Sequence, residues 1–238
     1  GYRENIGGLE GVEFVEADIN DEKALNGVFS KKIDAVFHLA ARFANQNSVE
    51  NPLADLATNG TGTLRLLQKC SRDGIGRFVY ASSSCVYGSK QGVLKETDAH
   101  GVLETPYAAT KLLGEHYTKF FHRHHKMDTV VLRYFNSYGP GEYPGRYRNV
   151  IPNFFKLALN RKPLVITGTG NETRDFTFVE DVVDATLAAG IAREAVGETI
   201  NIASGKETRI IELAKKINAI TGNNAYVRFA GRRSWDSI

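Results

Sequence analysis

The sequence predicts an α/β protein, a doubly wound parallel sheet that carries a smaller α/β lobe. Short, β-branched and nearly continuous apolar runs recur along the chain, the pattern of strands buried on both faces. Between them lie helix-like segments, and strands alternating with helices argue for a parallel sheet covered on both sides. A stretch from about 137 to 180 breaks that alternation and predicts the lobe.

In chain order, "VEFVEADI" (12–19) reads as a strand and "DEKALNGVF" (21–29) as a helix. "IDAVFHLAA" (33–41) is the next strand, followed by a long helix over 53–74. The glycines of "GIGRF" (74–78) stop that helix. "GRFVYASS" (76–83) returns to the sheet, and "TPYAATKLLGEHYTKFFHRHH" (105–125) is helical. "TVVLRYFN" (129–136) and "ETINIAS" (198–204) are further strands, with the helix "DVVDATLAAGIA" (181–192) between them. The lobe combines "SYGPGEYPGRYRNVIPNFF", the turn "TGTGNETRD" and a helix in "RIIELAKKINAITG". The expected division is 1–140 with 181–204 for the sheet domain, and 141–180 with 205–238 for the lobe.

A chain of 238 residues can bury roughly three quarters of its unfolded surface. With 42% hydrophobic and 24% charged residues it has the composition of an ordinary globular protein. A net charge of +3 gives no reason to expect nucleic acid or a membrane as partner. Cys70 and Cys85 make no disulfide framework and fit a reducing cytoplasm. No apolar run reaches the roughly 18 residues of a membrane span, and no signal-like segment opens the chain. The expectation is a soluble cytoplasmic protein.

In doubly wound sheets ligands bind outside the carboxyl ends of the strands. Polar or small residues stand there in four places: Asp18 and Ile19, then Leu39, Ala40 and Ala41, then the serines of "ASSSCVYG", and Asn136 before "YGPG". The helix that follows the serine strand carries Tyr107 and Lys111, one turn apart on one face. A tyrosine, with pKa about 10, is a poor base near neutrality, but a close ammonium favours its phenolate. Ser83, Tyr107 and Lys111 therefore supply a positioning group, a proton acceptor and its electrostatic tuner. Arg146, Arg148, Arg174, Arg232 and Arg233 collect in the lobe segments, and their forked donors suit diphosphate oxygens. "HRHHK" (122–126) ends a helix, where cations complement the dipole; it lacks carboxylates at ligand spacing, so no metal is assigned.

One element of a dinucleotide fold is missing from the sequence. No G-x-x-G-x-x-G precedes the first helix. Either no dinucleotide binds, or the first βαβ segment lies outside these residues.

Taken together, "ADI", "HLAA", Asn59 in "NGTGTLRLL", "SSSCVYG", "YAATK", "LRYFNSYGPG", "NVIP", "RDFTFVEDVVDA" and "NIASG" resemble the extended short-chain dehydrogenase/reductase family. Within it they resemble the nucleotide-sugar epimerases of the UDP-glucose 4-epimerase type. The resemblance runs over essentially the whole chain and implies a Rossmann-like domain with NAD as cofactor. It places Asp18 and Ile19 at the adenine, and Leu39, Ala40 and Ala41 along the pyrophosphate and ribose, with Asn59 nearby. Tyr107 would be the catalytic base, with Lys111 on the nicotinamide ribose lowering the tyrosine pKa. Tyr134 would flank the nicotinamide and Ser83 would orient the substrate. Asn136, Asn149, Arg174, Arg233 and Asp236 would hold the nucleotide diphosphate or its sugar.

"GYRENI" resembles the loop after the family's second strand, which implies an N-terminally incomplete Rossmann unit in a longer natural protein, with poor NAD binding by the chain as given. Dehydratases and decarboxylases of the family carry an acidic residue beside the substrate-positioning Ser or Thr; Ser84 and Cys85 stand there instead, against dehydration. The resemblance thus implies epimerisation of a nucleotide sugar at C4 through a 4-keto intermediate. The alternatives are an NADPH-dependent 4-ketoreductase and a non-catalytic dinucleotide-sensing regulator of the same fold. It also implies a homodimer through a four-helix bundle, with Leu56, Leu112, Leu113, Phe120 and Phe121 as apolar residues beyond one stripe of helices 53–72 and 105–125.

Overall fold

The computed structural model describes residues 3–98 and 101–232. Its helices are α1 (Glu22–Phe29), α2 (Asn45–Glu50), α3 (Pro52–Asp55), α4 (Thr63–Arg72), α5 (Pro106–His125), α6 (Val150–Leu159), α7 (Val179–Ile191) and α8 (Ile210–Thr221). Its strands are β1 (Ala35–His38), β2 (Arg77–Ser83), β3 (Thr129–Tyr134), β4 (Asn136–Tyr138), β5 (Leu164–Thr167), β6 (Thr173–Phe178), β7 (Thr199–Ile202), β8 (Glu207–Arg209) and β9 (Val227–Ala230).

The main sheet runs β1-β2-β3-β7, and every pairing in it is parallel. Because side chains alternate along a strand, neighbouring residues of β2 and β3 serve opposite layers. Phe78, Tyr80 and Val131 pack with Leu66, Leu67 and Cys70 of α4 and Phe121 of α5. Val79, Val130 and Leu132 pack with Val182 and Ala189 of α7. A doubly wound sheet is the result, so its strands read as continuous apolar runs. Phe121, expected on an outer stripe, instead belongs to the first of these cores.

Close approach fixes the α5 layer. A Cβ on Gly114 would lie 2.1 Å from the Tyr80 hydroxyl, so only glycine lets the helix sit this low on β2. Between α3 and α4 the helix widens into a π-segment (Leu56–Gly62). There a Cβ on Gly62 would meet Ile19 at 2.6 Å, so Ile19 is seated on this helix.

The run 12–19, expected as a strand, forms none. A strand exists only through its ladder, and among the described residues β1, outermost in the sheet order, pairs with β2 alone. Val12, Phe14 and Val15 remain about half exposed. The expected strand 129–136 divides at Phe135. Its N–H still bonds Ile202 in β7 at 3.1 Å, while its carbonyl takes the Ser137 N–H at 2.8 Å in a tight turn. The chain thereby leaves the main sheet and enters a second one, β4-β6-β8. A third core, with Phe154, Leu164, Ile166, Leu213 and Ile217, joins α6, β5 and α8.

Candidate active site

A cleft of about 530 Å³ opens beyond the carboxyl ends of β1, β2 and β3, facing the second and third sheets. Leu39, Ala41, Ser83, Tyr107, Lys111 and Tyr134 line one wall. Asn136, Asn149 and Arg174 line the other, together with Arg146, Arg148 and Arg232.

Local sequence explains the first wall. Thr105 caps α5, its hydroxyl accepting the Ala108 N–H, and Pro106 occupies the first turn. That fixes the helix start so that Tyr107 and Lys111 face the strand tips. Ser83 ends β2 and caps the short 3₁₀ turn Ser84–Tyr87, accepting the Cys85 N–H at 3.3 Å. The Ser83 and Tyr107 side chains share a hydrogen bond. Lys111 donates to the Ala81 carbonyl at 2.7 Å and lies 5.8 Å from the Tyr107 ring centre.

Burial dominates the electrostatics of this wall. Burial pushes the Tyr107 hydroxyl well above its ordinary value, the nearby Cys85 adds to this, and the Ser83 bond offsets only part. The Lys111 ammonium lies beside the phenol ring and is bonded to the Ala81 carbonyl. Burial also draws Lys111 down to about 8, against the opposing pull of Asp55. The lysine is therefore still a cation at neutral pH.

Behind this wall stands a buried ionic network. Arg133 on β3 donates twice to Glu115 on α5, at 2.9 and 2.8 Å, and Ser82 donates to the same carboxylate at 2.6 Å. Arg133 also stacks over Tyr87, 4.7 Å from the ring centre. Burial pushes the Glu115 carboxyl up, but its bonds to Arg133 and Ser82 prevail and hold it below the usual range. The ends of β2 and β3 are thus tied to the middle of α5 behind the cleft wall.

Other predicted positions fall elsewhere. Asn59 is fully buried and clamps the loop after β1, accepting the Arg42 N–H at 2.8 Å and donating to the Arg42 carbonyl at 3.1 Å. Its remaining donor reaches Asp55, which also takes the Thr110 hydroxyl. Asp18 binds the Asn20 amide groups in a surface turn. Neither Asp18, Ile19, Ala40 nor Asn59 lines the cleft. Tyr134 shares a 2.7 Å bond with Thr186, Asn136 donates to the Asp175 carbonyl, and Asn149 donates to Glu142. Arg233 and Asp236 lie outside the described residues. Sequence reasoning did not select Phe43, which meets Tyr107 edge-on, or Glu172, which pairs with Arg232 at 2.6 Å in the cleft. A lone Phe after "HLAAR" and a Glu inside a turn give no readable signal.

A parallel doubly wound sheet with a serine, tyrosine and lysine gathered at its carboxyl edge defines a dinucleotide-dependent enzyme class. The chain belongs to the NAD dependent epimerase/dehydratase family, whose model matches residues 1–203. It is 53% identical to an epimerase from Methanothermobacter thermautotrophicus, covering 99% of this chain and 71% of that one, with a TM-score of 0.97. Against the UDP-glucose 4-epimerase of Thermotoga maritima, solved with UDP-glucose, it is 33% identical with a TM-score of 0.94, over 100% and 76% of the two chains. Against that of Thermus thermophilus, solved with NAD, the values are 28% and 0.91, over 100% and 77%. The chain spans 65% and 62% of the length of two curated relatives, from Methanocaldococcus jannaschii and Bacillus subtilis, which share 37% and 34% identity over 84% of it.

Proposed function

We propose that this chain is part of an NAD-dependent epimerase of nucleotide-diphosphate sugars, acting at C4 through a transient 4-keto sugar. The observation that carries the reading is the grouping of Ser83, Tyr107 and Lys111 on one wall of a cleft whose other wall bears Arg146, Arg148, Arg174 and Arg232. The described residues fit the cofactor. Lys111 is a buried cation with three donors, one of them spent on Ala81, which leaves donors for ribose hydroxyls. Leu39 and Ala41 offer a low rim beside it. The bound dinucleotide would accept and return the hydride.

The chain's own part is proton control and orientation. Tyr107, once the Lys111 charge favours its phenolate, accepts the proton of the C4 hydroxyl, which Ser83 positions against it. Lys111 keeps a positive charge beside the phenol, and its donors not used by Ala81 would hold the ribose oxygens. Asn136, Asn149 and Arg174, with Arg233 and Asp236, serve the nucleotide diphosphate and sugar. Asn59 acts by bracing the loop after β1. Ser84 and Cys85 are neutral side chains at the positions beside Ser83 where the family's dehydratases carry an acid, which speaks against dehydration. We assign 1–140 with 181–204 to the cofactor domain and 141–180 with 205–238 to the substrate lobe.

No helix among the described residues is long and apolar enough to cross a membrane; the free thiols of Cys70 and Cys85 support a place in the reducing cytoplasm. Leu53, Leu56 and Phe120 stand 82, 44 and 47% exposed along α3, the π-segment and α5, which supports a homodimer through these helices; light scattering tests it. For activity, the protein is incubated with UDP-glucose, UDP-N-acetylglucosamine and UDP-glucuronate and with their C4 epimers. Interconversion of one pair without net change in NAD is the expected result, and conversion of none sinks the proposal.

A further inference from the structure

The cleft is bridged at its mouth by a carboxylate that does not itself line it. Glu50 ends α2, the short helix that follows the β1 loop. Its Oε1 accepts from Gln46 Nε2 at 2.9 Å and from Arg146 Nη2 at 2.7 Å, and its Oε2 takes the Tyr147 hydroxyl at 2.6 Å. Gln46, Arg146 and Tyr147 all line the cleft. Glu50 is thus joined to residues 96 and 97 positions later in the chain, on the loop between β4 and α6.

We infer that Glu50 is a positioning residue for nucleotide-sugar binding, its carboxylate clasping the 139–149 loop to α2 across the mouth of the cleft. The inference rests on the nucleotide-sugar reading of the site. The loop carries Arg146, Tyr147, Arg148 and Asn149, all on the cleft wall. Several of its other bonds stay local: Asn149 to Glu142, and Asn153 to Gly145, Arg148 and Asn149. Those bonds shape the loop and join it to the start of α6, but they do not set its distance from α2. The clasp does.

An isolated exposed ion pair contributes little. This one differs because a single carboxylate gathers three donors, one a short phenolic bond, and so acts as a charge-assisted network. Without it the loop would have to be ordered when the anionic ligand arrives, and that ordering would be charged against affinity. Ser83, Tyr107 and Lys111 lie on the opposite wall and are untouched, so the chemical step at saturation should not depend on Glu50.

The test is calorimetric titration with UDP, dTDP and GDP, alongside steady-state kinetics on the nucleotide sugar that turns over. Glu50→Gln removes the charge and Tyr147→Phe removes the hydroxyl bond from the other side. Each should weaken binding of the preferred nucleoside diphosphate roughly 5- to 20-fold, and the double variant should lose little more than either single one. In Glu50→Gln, KM should rise by a similar factor with kcat within twofold. Unchanged affinity in both single variants, fully additive losses, or a fall in kcat at constant KM overturns the clasp while leaving the epimerase reading intact. Tight nucleotide binding without turnover of any sugar overturns the epimerase reading, and the clasp is still judged by the titration. Failure of the unaltered protein to bind any of the three nucleotides overturns both.

Discussion

The charged residues around the cleft fall into two populations that behave oppositely. On the sheet side Asp55, Lys111, Glu115 and Arg133 are each at most 3% exposed, and each is held by directed hydrogen bonds to strand or helix groups. On the lobe side the ion-pair side chains of Arg146 and Arg232 are 66 and 41% exposed, and their acids Glu50 and Glu172 are 30 and 10% exposed. Buried charges cannot exchange partners cheaply, so the first wall is rigid and suits chemistry that needs fixed geometry. Exposed guanidinium groups can take up a further anion at little cost, so the second wall suits anions that come and go while the Glu50 network holds the loop that carries it.

The strongest way to break this contrast is Tyr107→Phe. If the sheet wall carries the chemistry, turnover should fall by roughly 10²–10⁴-fold, while the dissociation constant of a nucleoside diphosphate stays within about threefold. A variant that binds poorly but turns over normally at saturation would reverse the assignment of the two walls. Next comes Arg133→Met, which leaves the Glu115 carboxylate with Ser82 and, at 3.8 Å, the half-buried Lys119 as its remaining partners. Removing one member of a buried pair costs about 3–5 kcal/mol, whereas replacing both with apolar residues is often neutral. The urea midpoint should drop sharply in Arg133→Met and recover in the double variant with Glu115→Leu. A small effect in the single variant would mean that the network is wetter than its exposure indicates.

His38, at the end of β1, sharpens the same point through pH. Burial, with a smaller contribution from the Lys111 charge, draws its imidazole from 6.5 down to about 3, and Nε2 sits 2.8 Å from the Thr63 hydroxyl. The unfolded chain takes up this proton below about pH 6.5 and the folded chain refuses it until about 3. Stability from this group is therefore complete above pH 6.5 and is lost as pH falls, by roughly 2 kcal/mol between pH 7 and pH 5. In His38→Asn that part of the slope should vanish from melts taken at the two pH values. An unchanged slope would show that His38 titrates normally in the fold.

How far the sequence reached follows the same division. The sheet wall was readable because its determinants are local: β-branched runs for β2 and β3, a Thr-Pro start for α5, and a four-residue spacing for Tyr107 and Lys111. Where a determinant lay far away in the chain, reading failed. The run 12–19 has the composition of a strand but finds no ladder, and a ladder is a tertiary fact. Nothing in the sequence shows that the Asn59 side chain bonds the Arg42 backbone and Asp55. The tyrosine–lysine spacing was readable, but the extent of burial, which dominates the Tyr107 hydroxyl, was not, because burial is a tertiary fact. On the lobe wall, α6, β5 and β6 sit in a stretch rich in Gly, Pro and Arg that masks their short periods, and Glu50 gains its role from partners 96 and 97 residues away.

The mildest change in stability should come from Arg232→Ala, on the lobe wall. Burial raises the Glu172 carboxyl, but backbone N–H groups, including those of Thr169 and Gly170, and the Arg232 bond together hold it at about 2. Most of its partners are thus main-chain donors that the substitution leaves in place. Arg232 itself is 41% exposed, so its loss should cost less than about 1 kcal/mol in a urea titration. Its guanidinium still faces the cleft, and affinity for a nucleoside diphosphate should fall several-fold in the same variant. A large loss of stability with unchanged affinity would place Arg232 among the structural charges and erase the distinction between the two walls at that position.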